Sequence, residues 1–252
     1  MIGIFDSGVG GLTVLREIRK VLPSADVIYF GDIKNAPYGL KSREELFLLT
    51  VDGIKLLQEN GARAIVSACN SVSASLAISL LDAFSLTAES LVEMVGPTVS
   101  AFKGTPLRVA LCATVATIDS RIYQNAFHMI GKEIQCIAIP ELAGAIENGA
   151  SDNELESIVK EAFPQGARDF DVLILACTHY PIAEKTFRNV LGDKVILFDP
   201  ASSVAERVEK QFWPREVGDG TMRFLISQDS ERFRSLVAEL FPEGNHSIEV
   251  IK

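Results

Sequence analysis

An α/β protein of two similar halves, each with a mostly parallel sheet, and with a ligand site in the cleft between them, is what this sequence predicts. Three observations carry that expectation. Short apolar runs alternate with helix-period segments, polar residues recur at the ends of the apolar runs, and the spacing of those polar residues repeats once along the chain. A length of 252 residues suits two domains of roughly 100 to 150 residues each. With 48% apolar and 23% charged residues the chain has ordinary globular composition and enough apolar mass for a sizeable core.

The first run, Ile2 to Phe5, reads as a buried strand. Leu12, Leu15, Ile18 and Leu22 then share one helical face, and Val27 to Phe30 returns to strand, completing a βαβ unit. Further runs are Ala62 to Ala68, Leu91 to Val95, Arg108 to Cys112, Ile134 to Ile139, Val172 to Ala176 and Val195 to Phe198, most separated by helix-length segments. Strands that are apolar throughout are buried on both faces, so helices are expected on both sides of the sheets. After Trp213-Pro214 a turn-rich stretch, Glu216-Val217-Gly218-Asp219-Gly220, leads to a strand from Met222 to Ile226 and a helix near Ser230 to Phe241. This late βα unit is expected to return to the first half. The expected division is a discontinuous first domain, 1–94 plus 208–252, and a second domain, 95–207.

The internal repeat appears once strand ends are aligned. The separation from Asp6 to Cys69 recurs from Thr114 to Cys177, and the local texts agree: Ala68-Cys69-Asn70-Ser71 follows one buried strand and Ala176-Cys177-Thr178-His179 the other. Polar positions at the carboxyl ends of equivalent strands are where open α/β sheets bind ligands.

Charge and cysteine usage narrow the function. Lys and Arg number 24 against 33 Asp and Glu, a net charge of −9, so there is no basic field to attract a nucleic acid or an anionic lipid surface. The N-terminus lacks a charged segment followed by an apolar one, and no apolar run approaches the roughly 18 residues of a membrane span. A soluble cytoplasmic protein with a small-molecule substrate is expected. The four cysteines, at 69, 112, 136 and 177, form no C-x-x-C and no close Cys/His pairing, so no metal site is expected. In the reducing cytosol they are free thiols rather than a disulfide framework.

Phe5-Asp6-Ser7-Gly8-Val9-Gly10-Gly11 joins the first strand to the first helix. Its glycines allow a tight turn whose N–H groups can cradle an anion, and an unliganded turn is the plainer reading. It matches neither the P-loop nor the dinucleotide fingerprint. Gly31-Asp32 followed by Pro37-Tyr38-Gly39 forms a second strand-end loop. Cys69 and Cys177 each take the first polar position after an apolar strand, which places a thiol at the ligand edge of a sheet. A lone cysteine there reads as a small buried hydrophobe; two at equivalent places in a repeat favour chemistry. Each needs a neighbour to share its proton, since a free thiol is only a few per cent ionised near pH 7, and His179 stands two residues from Cys177. Cys112 and Cys136 read as core, and Glu147 as a solvated helical carboxylate. Two thiols facing one carbon from opposite sides would invert a stereocentre, one removing a proton and the other donating one. Donors at the strand ends, Asn70, Ser71, Thr114, Thr117 and Thr178, would stabilise the carbanion. No motif for a cofactor is present, and none is expected.

These residues resemble the glutamate racemases of the aspartate/glutamate racemase superfamily over nearly the whole chain. The matching stretches are Asp6-Ser7-Gly8-Val9-Gly10-Gly11-Leu12-Thr13-Val14-Leu15, Gly31-Asp32 with Pro37-Tyr38-Gly39, Cys69-Asn70, Ala113-Thr114 with Thr117, Glu147-Asn148-Gly149 and Cys177-Thr178-His179-Tyr180-Pro181. The resemblance implies two flavodoxin-like domains and a cofactor-independent reaction with Cys69 and Cys177 as bases on opposite faces. It further implies that Asp6 assists Cys69, that His179 assists Cys177 and that Glu147 tunes the second side. Asp6, Ser7, Asn70, Ser71, Thr114 and Thr178 would hold the amino and α-carboxylate groups, and the backbone at Pro37, Tyr38 and Gly39 the side-chain carboxylate. The product, D-glutamate, would serve peptidoglycan synthesis, and a homodimer is a family expectation.

Departures stand beside the thiols: Ser71, which keeps the hydroxyl of the family's usual threonine, and two that change bulk, Val72 where the family commonly has alanine and Ala176 where it has glycine. Both add bulk, and Ala176 would restrict a backbone that glycine leaves free. Because the chain begins at its first strand, activation by a cell-wall precursor through an N-terminal extension is not expected. The rival readings are an aspartate or other superfamily racemase, a two-lobed anion-binding module without catalysis, and a redox sensor pairing the two thiols.

Overall fold

The structure is a computed structural model that describes residues 1–75, 84–164, 166, 169–242 and 245–251. Among the described residues ten strands form two sheets, parallel at every pairing. The first contains β1 (Ile2–Asp6), β2 (Val27–Gly31), β3 (Ala64–Ser67), β4 (Leu91–Val92), β9 (Met222–Ile226) and β10 (His246–Val250), in the order β10-β9-β2-β1-β3-β4. The second contains β5 (Val109–Ala113), β6 (Gln135–Ala138), β7 (Val172–Ala176) and β8 (Ile196–Phe198), in the order β6-β5-β7-β8. The repeat read from spacing is therefore topological. β1 and β3 take the same central places in one sheet as β5 and β7 in the other, and their carboxyl ends carry Asp6, Cys69, Thr114 and Cys177.

Every residue of β1, β2, β5 and β7 is buried, as expected of parallel strands covered on both faces. Helix α1 (Gly11–Val21) buries Leu12, Leu15 and Ile18 and ends on Arg19 and Lys20, whose charge suits the carboxyl end of the helix dipole. Helix α2 (Arg43–Glu59) opens with a reciprocal Ser42–Glu45 capping box. Helix α3 (Asn70–Ser75) starts immediately after Cys69. The late unit does return to the first sheet: β9 pairs with β2, with Val27 opposite Met222 and Gly31 opposite Ile226.

Four differences from the sequence reading have local causes. The run Leu91 to Val95 is a strand for two residues only, because the Glu93 carboxylate accepts the backbone N–H groups of Val95 and Gly96 and starts helix α4 (Val95–Ser100). Where one helix-length segment separates the runs Arg108 to Cys112 and Ile134 to Ile139, the structure has two helices, α5 (Val115–Asp119) and α6 (Ile122–Met129), broken at Arg121 with φ of 58°. Strand β10 was not foreseen; it alternates in exposure as an outer strand. Cys136, expected in the core, is only partly buried, because β6 is an edge strand.

Helices α7 (Leu142–Glu147), α8 (Asp152–Ala162) and α9 (Glu184–Leu191) cover the second sheet. Helix α10 (Ala201–Phe212) lies instead in the first core, where Val204, Ala205 and Val208 pack with Leu12, Leu15 and Ile18. The junction expected between 207 and 208 falls inside this helix. Helix α11 (Glu231–Leu240) completes the first core. Among the described residues, no helix is long and apolar enough to cross a membrane.

Candidate active site

The carboxyl ends of the two sheets face one another across a small cavity. The first half contributes Ser7 after β1, Pro37, Tyr38 and Gly39 after β2, and Cys69, Asn70 and Ser71 after β3; the second contributes Thr114, Ala143, Cys177, Thr178 and His179. The space between them is only about 10 Å³, room for a single water. Both thiols line it, one from each half, and both are free.

On the Cys177 side three buried groups form a hydrogen-bonded chain. The thiol sulfur lies 3.8 Å from His179 Nδ1, and His179 Nε2 lies 2.5 Å from Glu147 Oε2. Glu147, the last residue of α7, also accepts the N–H of Val9 in the first half at 3.0 Å. Burial alone would depress the imidazole, but its bonds to Cys177 and Glu147 outweigh that and hold His179 well above its ordinary pKa. The other carboxylate oxygen, Oε1, is buried without a protein partner.

The Cys69 side has no imidazole. Its sulfur lies 3.9 Å from Ser7 Oγ, and burial, with the Asp6 charge behind it, pushes the thiol up to about 12. Asp6 is itself raised by burial, against the opposing pull of His179 and of hydrogen bonds. Its Oδ1 accepts the N–H of Gly8 at 2.9 Å and its Oδ2 the Thr178 hydroxyl at 3.0 Å, so a residue of one half is anchored by a side chain of the other.

Hydroxyls and one amide complete the lining. Ser71 Oγ stands 3.1 Å from Thr114 Oγ1, which is 3.1 Å from Thr117 Oγ1. The Asn70 side-chain oxygen accepts the Tyr123 hydroxyl at 2.6 Å, leaving its buried Nδ2 without a partner among the described residues. The 37–39 loop is held from behind: Tyr38 donates to Asp32 Oδ2 at 2.6 Å, and Ser227, after β9, donates to Asp32 Oδ1 at 2.7 Å. Among the described residues no group of three or more His, Cys, Asp or Glu side chains is placed to hold a metal ion.

A family model for Asp/Glu/hydantoin racemases matches residues 12–208. The chain belongs to this racemase family. A curated relative, glutamate racemase 2 of Caldanaerobacter subterraneus, is 35% identical over 246 residues, covering 92% of this chain and 90% of its own. Among solved structures, a glutamate racemase isoform of Bacillus anthracis superposes with a TM-score of 0.89 at 29% identity, covering 100% of this chain and 97% of that one. The glutamate racemase of Francisella tularensis, solved with D-glutamate, superposes with a TM-score of 0.87 at 30% identity, with the same coverage of both chains.

Set against the racemase pattern, most residues expected at the site do line the cavity; Asp6, Thr117 and Glu147 stand one layer behind it, each bonded to a lining residue or loop. The two departures that change bulk do not reach it. Val72 does not line the cavity, but it is buried in the same apolar cluster as Cys69, with Phe5, Ile65 and Leu86, and its backbone N–H favours the Cys69 thiolate. Ala176 is a regular β7 residue opposite Ala113, and its φ is not positive, so the backbone freedom of glycine is not needed there. Two contributors, Ala143 and Tyr123, escaped the sequence reading, and Asp32 was read only as part of the second strand-end loop, without a role at the site. Asp32 carried a signal, its place after a buried strand; Tyr123 carried none, because its partner lies in the other half.

Proposed function

We propose that the protein interconverts L- and D-glutamate with Cys69 and Cys177 as the two proton-transferring groups. The observation that carries this reading is the pair of free thiols, set at equivalent strand ends of a repeated fold and lining one cavity, each backed by a different proton partner. The relatives' names point to the same substrate.

Glutamate would lie with its α-carbon between the sulfurs. One thiolate removes the α-proton, and the thiol on the opposite face donates its own to the carbanion, giving the mirror image. The two sulfurs then hold exchanged protonation states, and the relay through His179 and Glu147 on one side, and Asp6 on the other, restores them. The carbanion's charge spreads into the α-carboxylate, where fixed donors from Ser7, Asn70, Ser71, Thr114 and Thr178 stabilise it. In the closed cavity the Cys69 thiol resists ionisation; a substrate ammonium placed beside it opposes the Asp6 charge and eases ionisation when glutamate is present. The backbone of Pro37, Tyr38 and Gly39 would take the side-chain carboxylate, selecting glutamate over the shorter aspartate. D-glutamate made this way would serve peptidoglycan synthesis in the cytoplasm. For the domains we propose one unit of 1–94 with the tail and one of the intervening residues, with α10 assigned to the first by its packing.

The test is incubation of the pure protein with L-glutamate in deuterated water without added cofactor. Optical rotation falling to zero while the α-proton signal is lost supports the proposal. Reaction of L-aspartate alone would overturn the substrate, and silence with both would overturn the activity.

A further inference from the structure

We infer that Tyr123 is a positioning residue that orients the Asn70 amide toward the substrate, and does so only when the two halves are closed. The inference rests on the glutamate reading of the same site. Asn70 immediately follows Cys69 and opens α3 in the first half, whereas Tyr123 lies on α6 in the second. The Tyr123 ring is fully buried, and its hydroxyl donates to Asn70 Oδ1 at 2.6 Å. An amide has one accepting and one donating end. Engaging Oδ1 fixes Nδ2 on the other side, where it is buried without a partner among the described residues, and Asn70 itself lines the catalytic cavity. A buried donor without a partner is costly, and at a ligand site it is accounted for by an acceptor that arrives with the ligand. The α-carboxylate of an amino acid is such an acceptor.

The dependence on closure follows from where the two residues sit. With room for one water, the cavity admits an amino acid only if the halves separate, and separation pulls the Tyr123 hydroxyl from Asn70. The amide is then free to turn, and an Asn70 turned over would present its oxygen to a carboxylate, which repels it. Closing on the substrate restores the hydroxyl contact and with it the donor. The second half, which supplies Cys177, thus also sets the polarity of the residue beside Cys69.

The test is Tyr123→Phe, which keeps the buried ring and removes one hydroxyl, measured alone and combined with Asn70→Ala. The expected result is a fall in kcat/KM of about tenfold, equivalent to about 1.4 kcal/mol of lost transition-state binding. It should appear as a raised KM together with a lowered kcat, because the donor holds the carboxylate of the bound substrate and also the further charge that the carbanion spreads onto it. In the Asn70→Ala background the same change should have less than a twofold effect. An unchanged kcat/KM in Tyr123→Phe, or an equal loss in both backgrounds, would overturn the inference. A thermal melt of each variant separates a loss of folded protein from a loss of positioning. A wild-type protein inactive on glutamate would instead overturn the reading of the reaction.

Discussion

Cys69 and Cys177 are the same side chain in two electrostatic settings. Cys177 faces an imidazole whose proton affinity is raised by Glu147, so its proton has a nearby acceptor; Cys69 faces a hydroxyl with a carboxylate behind it, a setting that keeps the proton on sulfur. Cys69→Ala and Cys177→Ala should each lower kcat/KM about 100-fold or more. The fall must be equal for the two enantiomers, whose free energies in water are identical. In deuterated water each variant should still exchange the α-proton of one enantiomer, and the two variants should choose opposite ones. Exchange of the same enantiomer by both would remove the assignment to opposite faces. Glu147→Gln is a test by pH. His179 is raised in the folded state, so its stabilising share is fully present below its unfolded pKa of about 6.5 and is lost as pH climbs through the folded value. Glu147→Gln should therefore destabilise most near pH 6, with a gap to the wild type that narrows at alkaline pH in urea midpoints. Residues at strand ends were legible because the parallel-sheet rule says where ligands bind. Tyr123 was not, since its meaning comes from a contact 53 positions away in the chain.

The glycine loop after β1 works as an element through close approach. At Gly10 the φ of −59° is ordinary helix, so no special backbone conformation is at stake. A Cβ there would sit 2.5 Å from Thr178 Oγ1 and 2.9 Å from the His179 backbone nitrogen, both in the other half. Gly10→Ala should hold the halves apart and lower kcat/KM by about tenfold or more, with KM raised; overpacking of this kind costs about 1–3 kcal/mol. Steady-state kinetics with a melting curve would check it, and unaltered kinetics would show that the halves yield elsewhere. Turn chemistry and apolar period made this loop and most strands readable. What misled was tertiary: β4 is cut short by Glu93, and β10, with Ser247 and Glu249 in its run, is a strand only because β9 offers an edge.

At the scale of the whole molecule, closure is stitched by side chains that cross the cleft. Thr178 reaches Asp6, Glu147 reaches Val9, Ser71 meets Thr114 and Tyr123 reaches Asn70. All must part for a ligand to enter so small a space. The rate of D-glutamate binding should therefore level off at high concentration, limited by opening; a rate that stays linear in concentration under rapid mixing would argue that the site is open in solution. The sequence repeat forecast two related α/β halves, and the late βα unit, expected to return to the first, places β9 beside β2. The extent of that return was not legible, because α10 is amphipathic toward whichever core it meets and only α1 decides.

The pairing of β2 with β9 bears on how the chain is made. The second sheet is drawn from one continuous stretch, whereas Val27–Gly31 finds its outer neighbour only when Met222–Ile226 has been synthesised. Domains tend to fold as units while emerging from the ribosome, and here the half whose synthesis begins first is completed last. Until then its buried strand presents a bare edge, the kind that recruits other chains. The nascent protein thus spends most of its synthesis with its first sheet unfinished, waiting for its own tail to seal it.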